Sequence, residues 1–469
     1  MTIHFIGICG TAMATLAALL KQRGHTVRGS DQNIYPPMDA FLEREGIPVL
    51  LGYEAEHITS DISLVVVGNA ISRGNPELEE VLDRKIRYCS LPEAIREHFL
   101  WGARSIVVAG THGKTTTTSM VGWVLTSGGL DPTVFAGGVA RNFGEEGSSY
   151  RVGHGREFVI EGDEYDSAFF DKTAKFLKYL PDIALINNVE FDHADIYADL
   201  DAVRLAFRRL VRLVPRSGLV LLGADSPHAA ALKDEAVSPV ETVGLATGAD
   251  WRAYDVRLAD GASRFKVEHR HEFVGAFELP LLGIHNVRNA TVAVAIGRTL
   301  GLDATTIAEG LRTFRGVRRR LELVDRVKDI TVYDDFAHHP TAVAETLAAA
   351  RSGHPGRRIW ALFEPRSASS CRRVFQEAFA DAFAGADRAI VASVFRSNLP
   401  ESERLSVERL VADLQQRGVW ARHIPETAGI VATVASEAEP GDVVVIMSNG
   451  AFDGLPSKLT AALRQVHAS

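Results

Sequence analysis

The sequence predicts an α/β protein made of three units, each a largely parallel sheet covered by helices. Short aliphatic and β-branched runs alternate with helix-length amphipathic segments along most of the chain, which is the pattern of strand–helix–strand units. The chain has 469 residues, and at about 100–200 residues per domain this length predicts two to four domains. Glycine-containing turns join a strand to a helix at residues 7–10 and again at residues 110–113. These features disfavour β-sandwiches and helical bundles.

The first unit is assigned to residues 1–98. A strand at 3–6, a helix at 11–21 that stops before Gly24 and a second strand at 26–31 form a βαβ unit. Further strands are expected at 65–68 and 86–89.

The second unit is assigned to residues 99–317. It begins with an aliphatic strand at 105–109, followed by a glycine loop and a helix that stops near Gly128. The alternating residues 263–268 predict an antiparallel addition to the sheet. The basic stretch 316–320 marks its end. Other strands are expected at 158–160, 183–186 and 219–222.

The third unit is assigned to residues 318–469. Its strands are expected at 330–333, 359–363, 388–392 and 443–447, separated by helical segments. The chain shows no internal repeat, no low-complexity tract and no Pro/Gly/Ser-rich tether, so short hinges between the units are expected.

Composition excludes several classes of protein. Apolar residues make up 46% and charged residues 23% of the chain, as in ordinary globular proteins. The net charge of −8 disfavours general binding to nucleic acid or anionic membrane. Three widely spaced cysteines indicate reduced thiols, and no apolar run approaches the ~18 residues of a membrane span. We therefore expect a cytoplasmic protein without membrane insertion, as a monomer or weak homodimer.

The strongest local motif is Gly-Thr-His-Gly-Lys-Thr at residues 110–115, between a strand and a helix. Small residues let the backbone approach phosphates, and the helix N-terminus supplies N–H donors. Lys114 is expected to be a surface-loop charge that neutralises phosphate oxygens, and the Thr115 hydroxyl is expected to bind Mg²⁺. The first glycine lies three residues before Gly113 instead of five, so the spacing departs from the common pattern. An ordinary glycine-rich turn is the alternative.

The turn at residues 7–13, Gly-Ile-Cys-Gly-Thr-Ala-Met, is a weaker motif because it lacks the Gly-x-Gly-x-x-Gly spacing. Asp31 ends the next strand, where an acidic residue can meet a ribose hydroxyl. A tight turn beside a solvated Asp31 remains the alternative.

Two acidic clusters each follow an aliphatic strand. They are Glu-Gly-Asp-Glu-Tyr-Asp at 161–166 and Asn-Val-Glu-Phe-Asp-His at 188–193. Ligands of parallel sheets bind beyond the carboxyl ends of the strands, and carboxylates near a phosphate loop are placed to hold Mg²⁺. Solvated loop residues are the alternative for each cluster.

Three further polar motifs follow later in the chain. His-Asn-Val-Arg-Asn at 285–289 precedes an Ala-rich helix, and Ser-Asn-Gly at 448–450 follows an aliphatic strand. Asp-Asp-Phe-Ala-His-His-Pro at 334–340 contains a histidine pair that is compatible with zinc. Adjacent histidines point in different directions, however, so a nucleotide-facing loop is preferred.

Together these motifs resemble the Mur ligase family of peptidoglycan enzymes over essentially the full length of the chain. The order of several motifs is far more specific than any one of them. The resemblance implies three domains: a Rossmann-like N-terminal domain that binds a UDP-sugar, a P-loop ATPase domain, and a Rossmann-like C-terminal domain. That last domain closes over ATP and binds the incoming peptide.

Details favour one branch of the family. Residues 7–13, 29–38, 161–172 and 447–450 resemble the ligases that join the tripeptide L-alanyl-γ-D-glutamyl-meso-diaminopimelate to UDP-N-acetylmuramate in peptidoglycan recycling. The alternative branch adds L-alanine to the same sugar nucleotide. The implied cofactors are ATP and Mg²⁺, and the implied mechanism passes through an acyl phosphate of the lactoyl carboxylate.

The resemblance also implies site residues. Lys114, Glu161 and His193 would be catalytic, and Thr115, Glu161 and His193 would hold metal. ATP would be bound by Gly110, Thr111, His112, Gly113, Lys114, Thr115, Thr116, Asn286, Asn289, Arg319, Asp334, Asp335 and His338. Substrate would be bound by Gly7, Gly10, Ser30, Asp31, Ala70, Ile71, Ser72, Arg366, Asn449 and Gly450.

One family feature is missing. Several Mur ligases support the second metal with a carbamylated lysine shortly after the Asp-His segment, yet residues 191–214 contain no lysine. This leaves that supporting ligand unassigned.

Two functions of other classes compete with a ligase. A non-catalytic nucleotide-binding switch would also need a phosphate loop, and a nicotinamide dehydrogenase would use the first unit. The ordered acidic clusters and the distinct third unit argue against both.

Overall fold

The computed structural model describes residues 1–34, 38–259, 261–395 and 399–466. Part of the segment 29–38, used above for the resemblance, lies outside the described residues. The strands form three main sheets, one in each predicted unit, with helices packed on them, so the chain has the predicted α/β architecture. No helix in the described ranges has both the length and the apolar character that crossing a membrane requires.

The N-terminal sheet has five parallel strands in the order β3-β2-β1-β4-β5. The order reverses direction at β1, so the turns that follow β1 and β4 flank the point where such sheets bind ligands. The strands are β1 (Thr2–Ile6), β2 (Thr26–Asp31), β3 (Val49–Leu51), β4 (Leu64–Val67) and β5 (Tyr88–Ser90). The helices are α1 (Thr11–Gln22), α2 (Met38–Arg44), α3 (Pro76–Asp83) and α4 (Leu91–Ile95).

The fifth strand begins two residues later than the sequence predicts. The Ile86 amide donates to the carbonyl of Val81, 3.0 Å away, and so belongs to the turn that follows α3. The apolar side chain of Ile86 predicts a strand residue. Its backbone amide, however, completes the hydrogen-bonded turn that ends α3.

The central sheet has ten strands in the order β17-β16-β15-β14-β13-β12-β6-β9-β7-β8. The strands are β6 (Arg104–Ala109), β7 (Thr133–Ala140), β8 (Ser148–Arg151), β9 (Glu157–Gly162), β12 (Ile183–Ile186), β13 (Leu219–Gly223), β14 (Val240–Gly244), β15 (Trp251–Ala259), β16 (Ala262–His269) and β17 (Glu272–Leu279). A separate hairpin consists of β10 (Asp166–Ala168) and β11 (Asp171–Ala174). The helices are α5 (Lys114–Ser127), α6 (Leu200–Val211), α7 (Pro227–Ala230), α8 (Ile284–Thr299) and α9 (Ala304–Arg312).

The position of β6 explains why the two acidic clusters flank the phosphate loop. β6 pairs in parallel with β9 on one side and with β12 on the other. Because the carboxyl ends of these strands lie at one edge, the loop after β6 sits between the segments after β9 and β12. The predicted antiparallel addition is confirmed: β15, β16 and β17 pair antiparallel at one end of the sheet.

The C-terminal sheet has six strands in the order β18-β19-β23-β20-β21-β22, parallel except for the β18–β19 pair. The strands are β18 (Glu322–Val327), β19 (Ile330–Asp335), β20 (Ile359–Phe363), β21 (Arg388–Val391), β22 (Trp420–His423) and β23 (Val443–Met447). The helices are α10 (Pro340–Gly353), α11 (Gln376–Ala382), α12 (Val407–Gln416), α13 (Thr427–Glu437) and α14 (Leu455–Val466).

The segment after β12 is one of the places where the C-terminal unit contacts the central unit. Thr341 donates to the carboxylate of Glu190 at 2.6 Å, and the rings of Phe191 and Phe375 stack with centroids 6.0 Å apart. Ser369 donates to the carboxylate of Asp192. The acidic cluster at 188–193 therefore serves both the phosphate loop and the contact with the C-terminal sheet.

Candidate active site

The predicted phosphate loop is formed between β6 and α5, and two of its glycines are required by geometry. Gly110 has φ +132°, and a Cβ there would lie 3.0 Å from the backbone nitrogen of Asn187. Gly113 has φ +81°, and its Cβ would lie 2.9 Å from Oδ1 of Asn289. Any larger residue would strain the loop and displace the asparagines that pack against it. The loop ends at Gly113, the N-cap of α5. The N–H groups of the first turn of a helix have no partner within the helix and are therefore available to a ligand at its N-terminus.

The ammonium of Lys114 is held at the loop by a carboxylate. Its Nζ lies 2.9 and 2.7 Å from the two carboxylate oxygens of Glu164 and 3.1 Å from the carbonyl of Thr111. Burial opposes the charge, but Glu164 raises the pKa of Lys114 above its usual value. The expectation of an open surface-loop charge is wrong, because the Lys114 side chain is only 12% exposed. Lys114 stays positively charged because the carboxylate of Glu164 lies next to its ammonium group.

Thr115 and Glu161, the predicted metal pair, lie side by side. The Thr115 hydroxyl is 3.0 Å from one carboxylate oxygen of Glu161, and the amide of Gly137 donates to the other at 2.5 Å. Burial raises the pKa of Glu161 in spite of Lys114 nearby, so a cation is what would best stabilise its negative charge. A hydroxyl and a carboxylate are hard oxygen ligands, and the pair therefore fits Mg²⁺.

His193, the third predicted metal ligand, is joined to the same site through Glu164. Its Nε2 lies 3.0 Å from Oε1 of Glu164, and the backbone has φ +53°. Burial opposes protonation, but Glu164 raises the pKa of His193 above its usual value. Glu164 thus bridges Lys114 and His193 and is the central residue that the sequence assignment omitted. The signal for it was its place in the acidic cluster at 161–166.

A substitution of His193 tests its predicted role as a metal ligand. Imidazole is a poor ligand for Mg²⁺, so His193→Ala should raise the Mg²⁺ concentration for half-maximal rate by about three- to tenfold, less than loss of Glu161 would. In the wild type this concentration should rise as the pH falls through the raised pKa of His193, because the imidazolium cannot bind a cation. The variant should lose that pH dependence in a Mg²⁺ titration. An unchanged Mg²⁺ requirement would give His193 another role.

Of the two asparagines predicted to bind ATP, Asn289 lies against the phosphate loop. Asn187 Nδ2 donates to Oδ1 of Asn289 at 3.0 Å, and the Nδ2 of Asn286 donates to the carbonyl of Leu282 at 2.8 Å. Asn289 and Asn187 are the two side chains nearest to Gly113. Asn187 was not predicted, although it directly follows β12 at the edge that carries the loop.

The other loop residues are anchored by the segment after β12. The amides of Thr111 and His112 donate to the backbone and side-chain oxygens of Asn188, at 3.1 and 2.7 Å. Thr116 lies buried in the first turn of α5. Asn188 therefore sets the path of the loop between Gly110 and Gly113.

In the C-terminal unit, Arg319 contacts several of the residues that were predicted to bind ATP or substrate. Its guanidinium lies 3.1 Å from the carboxylate of Asp334 and 2.6 Å from each of the carbonyls of Ser448 and Gly450. The side chain of Arg366 crosses Gly450, where a Cβ would lie 2.2 Å from its Nε. Asn449 Oδ1 is buried and has no hydrogen-bond partner among the residues that the structure describes. The structure therefore brings Arg319, Asp334 and the 448–450 loop together.

Asp335 and His338 lie on the same loop, but their side chains bond to nearby backbone. Asp335 is buried and accepts from the amides of Leu321 and Ala337, at 2.6 and 2.7 Å. His338 Nδ1 lies 2.9 Å from the carbonyl of Phe336. Burial lowers the pKa of His338. In this arrangement both residues shape the loop, and direct contact with ATP stays a prediction.

The N-terminal residues flank the point where the sheet order reverses. Asp31 accepts from the amide of Cys9 at 2.8 Å and so holds the turn after β1, while the side chain of Ile71 lies 3.4 Å from where a Gly7 Cβ would be. Gly10 is exposed at the start of α1. Ala70 and Ser72 are exposed beside the buried Ile71.

Ser30, also predicted to bind substrate, has a buried side chain. It is fully buried, and its hydroxyl donates to the carboxylate of Glu77 at 2.6 Å. The hydroxyl of Ser30 thus serves a buried carboxylate, and contact of Ser30 with substrate stays a prediction.

The chain is similar to known ligases over its whole length. The Mur ligase family catalytic domain matches residues 2–100, the Mur ligase middle domain matches 108–297, and the Mur ligase glutamate ligase domain matches 319–450. UDP-N-acetylmuramate–L-alanyl-γ-D-glutamyl-meso-2,6-diaminoheptandioate ligase of Escherichia coli is 40% identical, over 99% of this chain and 98% of that protein.

Two more relatives complete the comparison. UDP-N-acetylmuramate–L-alanine ligase of Salinibacter ruber is 38% identical over 96% of this chain and 92% of that protein. The crystal structure of a murein peptide ligase from Psychrobacter arcticus superposes with a TM-score of 0.73 at 36% identity, covering 99% of both chains.

Proposed function

The chain belongs to the Mur ligase family, and from this membership we propose that it is an ATP-dependent ligase of peptidoglycan recycling. It joins the tripeptide L-alanyl-γ-D-glutamyl-meso-diaminopimelate to the lactoyl carboxylate of UDP-N-acetylmuramate. Full-length relatives at 39% and 40% identity carry the name of that activity. The murein peptide ligase from Psychrobacter arcticus, at 36% identity, supports the same assignment.

The observation that carries the chemistry is the Lys114–Glu164–His193 chain beside the Thr115–Glu161 pair. These residues lie at the N-terminus of α5, where phosphate groups bind. They supply the ammonium of Lys114, the hydroxyl of Thr115, two carboxylates and one imidazole. Phosphoryl transfer needs little covalent chemistry from the protein, so positioning and charge neutralisation are the main tasks. These residues are suited to both tasks.

In the reaction, the lactoyl carboxylate attacks the γ-phosphorus of ATP, forming an acyl phosphate and ADP. The tripeptide's amine then attacks the acyl carbon, an amide forms, inorganic phosphate leaves and the amine loses a proton. The loop amides and Lys114 hold the phosphates, while Asp31 and the turn after β4 hold the UDP-sugar. Mg²⁺ on Thr115 and Glu161 would neutralise phosphate oxygens. Arg319 and Asp334 would contact ATP from the C-terminal side.

We also propose the division into domains 1–98, 99–317 and 318–469. The separation into three main sheets and the three family matches support it. The reactants, ATP and a nucleotide-linked sugar, support a cytoplasmic location. The choice of a monomer or a weak homodimer stays a prediction.

An L-alanine ligase is the competing assignment, since the Salinibacter ruber enzyme of that name is 38% identical. The two functions differ in the amine that is accepted and share every other reactant. A nucleotide switch differs from both, because it would show no turnover that depends on an added amine.

The test measures ADP release by the purified full chain with ATP, Mg²⁺ and UDP-N-acetylmuramate. With the tripeptide we expect turnover and a product whose mass equals the two substrates less one water. L-Alanine at equal concentration should give at most a small fraction of that rate. Turnover with L-alanine alone would assign the chain to the other branch, and no amine-dependent turnover would exclude a ligase.

A further inference from the structure

Three potential metal ligands from three segments meet beside the phosphate loop. His112 belongs to the loop itself, Glu190 follows β12, and His339 precedes α10 of the C-terminal unit. Nε2 of His112 lies 3.2 Å from Oε2 of Glu190, and Nδ1 of His339 lies 3.6 Å from the same oxygen. Within the part of the chain that the structure describes, this is the one group of three such residues whose ligand atoms all lie within 4.8 Å of one another.

The two separations that involve Glu190 match a tetrahedral metal centre. Zinc binds imidazole nitrogen and carboxylate oxygen at about 2.0–2.2 Å, so two ligand atoms at the tetrahedral angle are about 3.3 Å apart. The distances of 3.2 and 3.6 Å from Glu190 to the two imidazoles lie on either side of that value. A zinc ion therefore suits both Glu190–imidazole pairs, and the ligand atoms of the two histidines lie no more than 4.8 Å apart.

The hydrogen bonds of His339 leave its Nδ1 suitable for a metal. Nε2 lies 3.2 Å from the carbonyl of Phe191, which only accepts, so Nε2 carries the hydrogen. Nδ1 then has a lone pair, consistent with the long 3.4 Å bond that it accepts from the Thr341 amide. Burial lowers the pKa of His339 to about 4, which keeps the ring neutral at pH 7. A histidine anchored through one nitrogen to a backbone carbonyl has the orientation that metal-binding histidines adopt.

The charge balance of the cluster also favours a cation. Glu190 is negative at neutral pH: burial opposes ionisation, but His112 and Thr341 lower its pKa to about 2. Among the described residues, no lysine or arginine forms an ion pair with Glu190. Thr341 now serves both acceptors: its amide donates to Nδ1 of His339 at 3.4 Å and its hydroxyl donates to Oε2 of Glu190 at 2.6 Å. A cation bound between these acceptors, which lie 3.6 Å apart, would replace the long amide bond.

We propose that His112, Glu190 and His339 form a binding site for a divalent cation of the Zn²⁺ class. Two imidazoles and one carboxylate favour Zn²⁺, Co²⁺ or Ni²⁺ over Mg²⁺, which prefers oxygen ligands. The site shares no residue with the Thr115–Glu161 pair. A bound ion would tie the phosphate loop to the C-terminal unit and so slow any turnover that requires the two to separate. Only this inhibitory effect rests on the proposed function, whereas the binding does not.

Zinc binding is measured on the full-length protein at saturating Mg²⁺, so that sites for hard cations are filled. Competition with a chromogenic chelator should show one Zn²⁺ per chain, and Co²⁺ should give the intense visible absorption of four-coordinate cobalt. Glu190→Gln and His339→Ala should each weaken Zn²⁺ binding by at least about tenfold. His423→Ala is the matched control, because His423 lies 3.6 Å from a single carboxylate, Glu408.

A second readout does not depend on catalysis. Zn²⁺ should raise the thermal unfolding midpoint of the wild type and of His423→Ala, but not of Glu190→Gln, which keeps the shape of the side chain. Micromolar Zn²⁺ should also slow ADP release by the wild type at saturating Mg²⁺. Absence of Zn²⁺ binding, or equal binding by Glu190→Gln and wild type, overturns the proposal. If binding and stabilisation hold while the ligase assay fails, the proposed function is wrong and the metal site stands.

Discussion

Replacement of Lys114 by alanine should reduce the rate of ADP release by at least about 10²–10³-fold, the loss found when one preorganised electrostatic group is removed from an active site. Lys114 is the one cation inside the phosphate loop, and its Nζ already lies at the loop carbonyl of Thr111. The steady-state rate with all three substrates measures this effect. Thermal stabilisation by a non-hydrolysable ATP analogue should be weakened in parallel.

The fold should survive this change. Removing one member of a buried ion pair costs about 3–5 kcal/mol, but Glu164 keeps its contact with His193, which offsets part of the loss. Lys172→Ala is the control, since Lys172 pairs with Asp166 and its side chain is 67% exposed. It should keep the wild-type rate. Substantial ligation by folded Lys114→Ala protein would contradict the phosphate-loop assignment.

Replacement of Glu161 by glutamine should lower the rate by about 10²-fold or more, as expected when a charged group that positions phosphate chemistry is neutralised. Glutamine has the same shape and can still accept from the amide of Gly137, so the site is preserved while the negative charge is lost. The Mg²⁺ concentration for half-maximal rate should also rise. Rates measured over a Mg²⁺ titration separate the two effects.

A matched control lies on the same strand. Glu157 is the first residue of β9, at the end of the strand away from the phosphate loop, and pairs with Arg104 at 3.5 Å. Glu157→Gln should change stability slightly and leave the Mg²⁺ dependence as in the wild type. If Glu161→Gln shows a wild-type Mg²⁺ requirement, the Thr115–Glu161 pair does not hold the metal.

The sequence alone determined the α/β class, the three sheets and most of their parallel strands. The strands predicted at 183–186, 359–363 and 443–447 have the predicted bounds, because fully buried parallel strands are continuous aliphatic runs. β7, β8 and the β10–β11 hairpin were not predicted. Their residues are glycine-rich or polar, and their pairing depends on partners elsewhere in the chain.

The sequence also placed Lys114, Thr115 and Glu161 in one site, because it predicted them at the carboxyl ends of two parallel strands and such ends share an edge. In the structure Lys114 and Thr115 begin the helix after β6, and Glu161 is the penultimate residue of β9. It did not determine what each side chain contacts. Glu164 bridges Lys114 and His193, and Thr341 reaches Glu190 from 151 positions along the chain. Such contacts are decided by sheet order and by the docking of the C-terminal unit. A strand end specifies an edge, whereas only tertiary packing selects which polar groups at that edge become partners.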